Sequence, residues 1–229
     1  WSIYKNDPHW VPPLKMAVKD LLNQKKHPFY KTATVKAWIA YLNGKPVGRI
    51  LAVNNHAYNK YHNTKIGFFG FYEAIDNAEV AKLLFKTAED SLKSEGLTNI
   101  QGPMNPGTNY ECGLLVDKYD DAPQVMMTYN PAYYENQIHN LGYTKTMDLL
   151  AYKVDAHFTM PKIIMDIADR TEKKSNVTFR TLNLKNWNRE LDTMFEIYNS
   201  AWEDNWGFVP MTKEEFYHTA KDLKSIVNP

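Results

Sequence analysis

Two glutamates and a pair of tyrosines are the residues best suited to chemistry in this chain. Glu73 follows Gly70-Phe71-Tyr72 at the end of a strand-like run, with Asp76 and Glu79 close behind. Clustered acids shift one another's pKa, and a carboxylate tuned toward neutrality takes a proton from an amine. An acid near a helix start is equally explained by the helix dipole. Glu111 lies in the loop Asn105-Pro106-Gly107-Thr108-Asn109-Tyr110-Glu111-Cys112. A loop so rich in Asn and Gly is either turn chemistry or a binding site at a strand end. Asn105 and Asn109 bring donors for a carbonyl or an amide. Tyr133 and Tyr134 open a helix, where one can be buried and the other can supply a proton. Cys112 with His139 as base is a rival nucleophile, but no triad signature surrounds it, and a lone cysteine is normally a small buried hydrophobe. The seven histidines show no HExxH or other ligand spacing, so no metal is expected. Without a P-loop or Rossmann fingerprint, ATP and NAD are not expected either.

The elements that must position these residues follow from pattern. Apolar spacing predicts a short helix over 16–22 and strands over 34–42 and 46–53, joined by Asn43-Gly44, a strong hairpin signal. The polar stretch 56–63 reads as a loop. A third strand covers 65–74. A helix over 77–95 carries the stripe Val80, Leu83, Leu84, Ala88 and Leu92, with Asp76 as N-cap and Gly96 as terminator. A strand ends at Gln101-Gly102-Pro103-Met104-Asn105, which makes a strand–helix–strand crossover. A helix over 131–140 and a last strand over 147–154 complete the unit. Beyond Pro161 come an amphipathic helix, the polar linker 172–176, a short strand over 177–182, and two helices, the second capped by Thr212 with Glu215. The tail cannot bury its apolar face alone, so it must dock on the first domain or on a second chain, the latter giving a homodimer.

The chain has 229 residues, 44% hydrophobic and 23% charged, with a net charge of +1. That is ordinary for a soluble globular protein and gives no pull toward nucleic acid or an anionic membrane. There is no apolar run long enough for a transmembrane helix and no signal peptide. A single cysteine excludes an internal disulfide and suits a reducing, cytoplasmic location. The 14% of aromatic residues serve either packing or a wide groove for an apolar ligand.

The order of elements over 65–154 resembles the second half of a GNAT acyltransferase, a fold that moves an acyl group from coenzyme A to an amine. The phrases Asn6-Asp7-Pro8-His9-Trp10-Val11-Pro12-Pro13-Leu14, Gly70-Phe71-Tyr72-Glu73-Ala74, Gly102-Pro103-Met104-Asn105, Asn109-Tyr110-Glu111-Cys112-Gly113-Leu114-Leu115-Val116 and Tyr129-Asn130-Pro131-Ala132-Tyr133-Tyr134 resemble the bacterial ceramide synthase-like (YghO-like) family. Some of its members join fatty acyl groups from acyl-CoA to sphingoid bases. The resemblance implies an α/β (α+β) fold with a mixed, mainly antiparallel twisted sheet flanked by helices. It implies a GNAT-like domain over 1–160, a linker helix over 161–176, and over 177–229 the opening of a second GNAT-like domain, so that the chain is expected to be a piece of a tandem protein. It further implies an acyl-CoA donor and a small-molecule or lipid-like amine acceptor. Glu73, Glu111 and Tyr134 become the catalytic candidates. Phe71, Tyr72, Asn77, Asn105 and Asn109 become the expected contacts of acyl-CoA, and Tyr110, Cys112, Tyr129 and Asn130 those of the acceptor.

Two departures stand out. GNAT enzymes bind pyrophosphate on a glycine-rich turn at a helix N-terminus. Here the matching segment, Glu73-Ala74-Ile75-Asp76-Asn77-Ala78-Glu79, has no glycine and three acids. GNAT enzymes also often place a tyrosine where this chain has Ile138. Two readings therefore stand: an N-acyltransferase, or a non-catalytic GNAT-like domain that serves as scaffold or ligand-binding partner of another domain. A cysteine hydrolase is a third.

Overall fold

The computed structural model describes residues 2–155, 157–175, 178 and 180–221. A short helix α1 (Lys15–Leu21) and a 3-10 turn at Pro28–Lys31 lead into β1 (Ala33–Leu42) and β2 (Lys45–Asn55). These strands form the expected hairpin. Asn43 and Gly44 both take positive φ, 50° and 74°, as a tight right-twisted hairpin turn requires. The stretch expected to be a loop is instead helix α2 (His56–His62), because the Asn55 side chain accepts the Tyr58 amide and caps it. β3 (Ile66–Ala74) follows, then α3 (Ala78–Ser94) and β4 (Asn99–Gln101). The N-cap of α3 is Asn77 rather than Asp76; its Oδ1 accepts the amides of Glu79 and Val80 at 3.0 and 3.1 Å.

The sheet has the order β1-β2-β3-β4, antiparallel except for the parallel β3–β4 pair that α3 connects. It is therefore mixed and mainly antiparallel, with helices against it. Both faces of its centre are covered. Ile50, Ala52 and Phe69 pack under α3 with Leu84, Phe85 and Ala88. Their neighbours Leu51, Val53 and Phe68 point the other way, onto Phe29, Tyr58, Met104 and Val209. Alternate residues of a strand face opposite sides, so double coverage demands the continuous apolar runs seen in β2 and β3.

The strand expected through 101–105 is broken. β4 stops at Gln101, and β5 (Met104–Asn105) leaves the sheet to pair with β6 (Glu111–Cys112) in a separate ribbon. Residues 147–154, expected to be a strand, form none; Leu149, Leu150, Tyr152 and Val154 are exposed. A strand needs a partner edge, and β4, three residues long, offers little of one. Between them lies α4 (Tyr133–Asn140).

The remaining helices are α5 (Lys162–Lys174), α6 (Trp187–Ala201) and α7 (Lys213–Ala220). Part of the strand expected over 177–182, Val177 and Phe179, lies outside the described residues; Thr178 and residues 180–182 are not in a strand. Thr212 Oγ1 accepts the Glu215 amide and caps α7. α6 and α7 close on Trp187, Leu191 and Ala220. They also rest on the sheet domain. Val209 enters its core, Lys31 pairs with Glu214, Tyr110 with Glu215 and Asp20 with His218. Among the described residues no helix is long and apolar enough to cross a membrane.

Candidate active site

The site is built around an irregularity at the end of β3. Leu51 pairs with Gly70 and Arg49 with Glu73, so two residues of β3, Phe71 and Tyr72, oppose one of β2. The extra residue is absorbed by Phe71 at φ 46°, a left-handed conformation that costs a bulky side chain about 1–2 kcal/mol. β5 crosses this point at very close range. A Cβ on Gly70 would sit 1.8 Å from the Met104 carbonyl oxygen, so only glycine permits the approach. That approach delivers Asn105, whose Oδ1 accepts the Phe71 amide at 2.6 Å.

Asn105 also faces Glu111 across the β5–β6 ribbon, and its Nδ2 donates to Glu111 Oε1 at 3.0 Å. One amide side chain thus ties the strained residue to a carboxylate. Desolvation pushes the Glu111 pKa above the ordinary carboxylate range; the Asn105 hydrogen bond opposes this, and the negative charge of Glu73 adds to it. The residue is nonetheless exposed, so the crowding protein leaves it reachable.

Glu73 is held more firmly. Its Oε2 accepts the hydroxyls of Tyr134 at 2.7 Å and Tyr4 at 2.9 Å, and Oε1 lies 3.6 Å from Arg49 Nη2. Burial and the Glu73 charge drive both phenols far above their usual pKa, so they remain protonated donors. Tyr4 stacks on Trp10 with ring centroids 4.7 Å apart. Beside it a cleft of about 480 Å³ opens between residues 2, 3 and 5–8 on one side and Tyr119, Tyr129, Asn130, Pro131 and Ala132 on the other. Tyr129 donates to both oxygens of Asp7 at 2.8 Å, which moors the N-terminal segment across the cleft.

The structure therefore brings Glu73, Tyr134, Phe71, Asn105 and Glu111 together, with Tyr129 and Asn130 at the neighbouring cleft. It uses the other candidates differently. Tyr72 is buried and donates to Gln137 at 2.7 Å. Asn77 is spent on capping α3. Asn109 donates to the Val209 carbonyl and accepts from Tyr198, and Tyr110 donates to Glu215, so both hold the C-terminal helices. Asn130, although it lines the cleft, is buried and accepts the Leu115 amide while donating to the Leu115 carbonyl. Cys112 is half-buried with its thiol pKa raised by burial, and among the described residues no hydrogen bond joins it to His139.

Several amides of the turn expected to meet pyrophosphate, and of the helix start after it, are committed elsewhere. Ala74 N–H donates to Tyr134, Ile75 N–H to the Val47 carbonyl, Asn77 N–H to the Ile75 carbonyl, and Glu79 and Val80 N–H to the Asn77 side chain. Sequence does not mark Tyr4 or Arg49; their contacts with Glu73 span 69 and 24 residues, and no local pattern reports them. Nor does spacing reveal the grouping of Asp20, His27 and His218, whose ligand atoms all lie within 4.8 Å of one another.

The chain is 38% identical over 226 residues to a protein named bacterial ceramide synthase from Caulobacter vibrioides (strain NA1000 / CB15N), covering 97% of this chain and 58% of that protein. It is 37% identical over 227 residues to protein YghO of Escherichia coli (strain K12), covering 99% of this chain and 57% of that protein. The chain thus spans somewhat more than half the length of these relatives. No family model and no solved structure matches it.

Proposed function

We infer that the chain belongs to the YghO-like family, and we propose that it serves an N-acyltransferase, which passes an acyl group from acyl-CoA to an amine. The name of the Caulobacter relative supports the class of reaction and suggests a long-chain donor and a lipid-like acceptor. The mixed sheet, with its parallel β3–β4 pair and irregular β3 end, supports a GNAT-type architecture.

The observation that carries the reading is the bridge made by Asn105 between the Phe71 amide and Glu111. Glu111 is the general base. As the amine nitrogen bonds to the thioester carbon, its proton passes to the Glu111 carboxylate; the carbon–sulfur bond breaks and the thiolate departs. The second hydrogen of the Asn105 amide is available to the thioester oxygen. Glu73 is not assigned the base because Tyr134, Tyr4 and Arg49 already occupy its oxygens; it positions the two phenols, and its charge raises the Glu111 pKa.

Native mass spectrometry with acetyl-CoA and palmitoyl-CoA tests the donor. Saturable binding of one, together with acyl transfer to an amine lost in Glu111→Gln, is the expected result. Binding of neither would end this reading and favour a non-catalytic partner domain. The committed amides of Ala74, Ile75, Asn77, Glu79 and Val80 and the burial of Ile138 support that second view.

A further inference from the structure

We propose that Asp20, His27 and His218 form a binding site for one divalent transition-metal ion of the zinc type, which clasps helix α7 to the N-terminal part of the chain. Two imidazoles and a carboxylate are the donor set that borderline ions of this kind select, with a fourth position left to water. The three residues come from separate places: the end of α1, the start of the 3-10 turn, and α7. Their ligand atoms lie within 4.8 Å of one another. His218 Nε2 is 2.8 Å from Asp20 Oδ2, and the His27 and His218 rings meet edge-to-face with centroids 4.6 Å apart. Ligands at about 2.0–2.2 Å around one tetrahedral ion stand roughly 3.3–3.6 Å from each other, so the Asp20–His218 pair has to open by about half an ångström or slightly more, and a pair at the 4.8 Å limit has to close by about an ångström.

The surroundings suit a preformed site. His27 is buried and is held edge-on by Tyr30 and Tyr110. Its existing hydrogen bond, from the Phe29 amide to Nδ1, is long at 3.4 Å and easily surrendered. Asp20 and His218 are only partly covered, which leaves an entry path. The opposing feature is Lys221, whose Nζ lies 3.5 Å from Asp20 Oδ2. Its side chain is about half exposed (47%) and can swing into solvent, but its charge weakens the attraction for a cation.

The proposal does not rest on the Glu73–Glu111 centre, although Tyr110, which meets His27 edge-on, adjoins Glu111 in the chain. The test is titration of the full chain with Zn2+ by calorimetry and with Co2+ by visible absorption. One ion per chain is expected, with the intense Co2+ bands of a four- or five-coordinate site. Loss of the metal-facing nitrogen in His27→Ala or His218→Ala should weaken binding by at least ~10-fold, since even outer partners of a metal site are worth about 10–100-fold. Lys221→Gln should tighten it, and His157→Ala, in an exposed segment, should leave it unchanged. The Co2+ spectrum of the unaltered chain and the gain in Lys221→Gln need no core substitution, so misfolding of a histidine variant does not blunt the test. Absence of 1:1 binding, binding that survives both histidine substitutions, or weak six-coordinate Co2+ bands would each overturn the proposal.

Discussion

Tyr134 and Glu73 are locked by a single phenol: the Tyr134 hydroxyl accepts the Ala74 amide at 2.9 Å and donates to Glu73 Oε2 at 2.7 Å. With Tyr133 donating to the Ala74 carbonyl and Gln137 to that of Ile75, α4 satisfies the backbone where β3 ends. Tyr134→Phe removes the hydroxyl without leaving a large cavity and strands a buried amide, at a cost of about 2 kcal/mol. Glu73→Gln keeps an acceptor for both phenols and gives up mainly the half-exposed Arg49 pair, so it should cost less, roughly 1 kcal/mol or under. Urea unfolding of the two variants reads the order. A larger loss for Glu73→Gln would mean that the carboxylate, not the phenol, organises this corner.

Gly70 tests the close approach of β5. In Gly70→Ala the added Cβ meets the backbone of Met104, which cannot give way as a side-chain tip would. β5 has to lift, and Asn105 then loses the Phe71 amide. The expected loss of stability is about 2–3 kcal/mol, in the range for overpacking a tight site, with amine acylation falling alongside. A Gly70→Ala protein with unchanged urea midpoint and activity would show that Asn105 is not held by this contact.

The same residues show what a sequence reveals and what it hides. The hairpin and α3 were legible because Asn43-Gly44 and the Val80–Leu84–Ala88 stripe are local signals. α2 was not, because its seven residues are mostly polar and its start rests on one cap, Asn55. The 147–154 segment has strand-forming residues, but strand formation depends on a partner edge that local pattern does not report. Within the site, residue type and position point to Glu73, Tyr134, Asn105 and Glu111 one by one. That Asn105 serves the Phe71 amide and Glu111 at once follows only from the passage of β5 over Gly70. Tyr4 and Arg49 reach Glu73 through tertiary folding alone.

If Glu111 is the base, pH exposes it. The group must be ionised to accept a proton, and its pKa is raised by desolvation. Acylation should therefore climb with pH through a limb that lies above the ordinary glutamate value of about 4.3. Asn105→Ala deletes the hydrogen bond that lowers this pKa and should move the limb to higher pH. Glu111→Gln should remove the limb and reduce kcat by about 10²–10⁴-fold. A pH–rate profile of the three proteins checks this. A limb that persists in Glu111→Gln belongs to another group.

The C-terminal helices offer a test of sign. Glu215 is buried, which raises its pKa, while the Tyr110 hydroxyl 2.6 Å away pulls it down. Because the folded value is above the unfolded one, the native state favours the protonated form. The stability contribution of Glu215 is thus fully present below the unfolded value of about 4.3 and is lost as pH rises through the folded value. Tyr110→Phe removes the donor that favours the charged form, so the pKa rises further and the deficit relative to the unaltered chain grows with pH. At pH 7 it should reach about 1.5–3 kcal/mol, as for a lost hydrogen bond to a charged group, and at pH 4 it should be smaller. Urea unfolding at the two values decides. A deficit that is flat, or larger in acid, would mean that Glu215 gains its proton or its partner elsewhere when Tyr110 is gone.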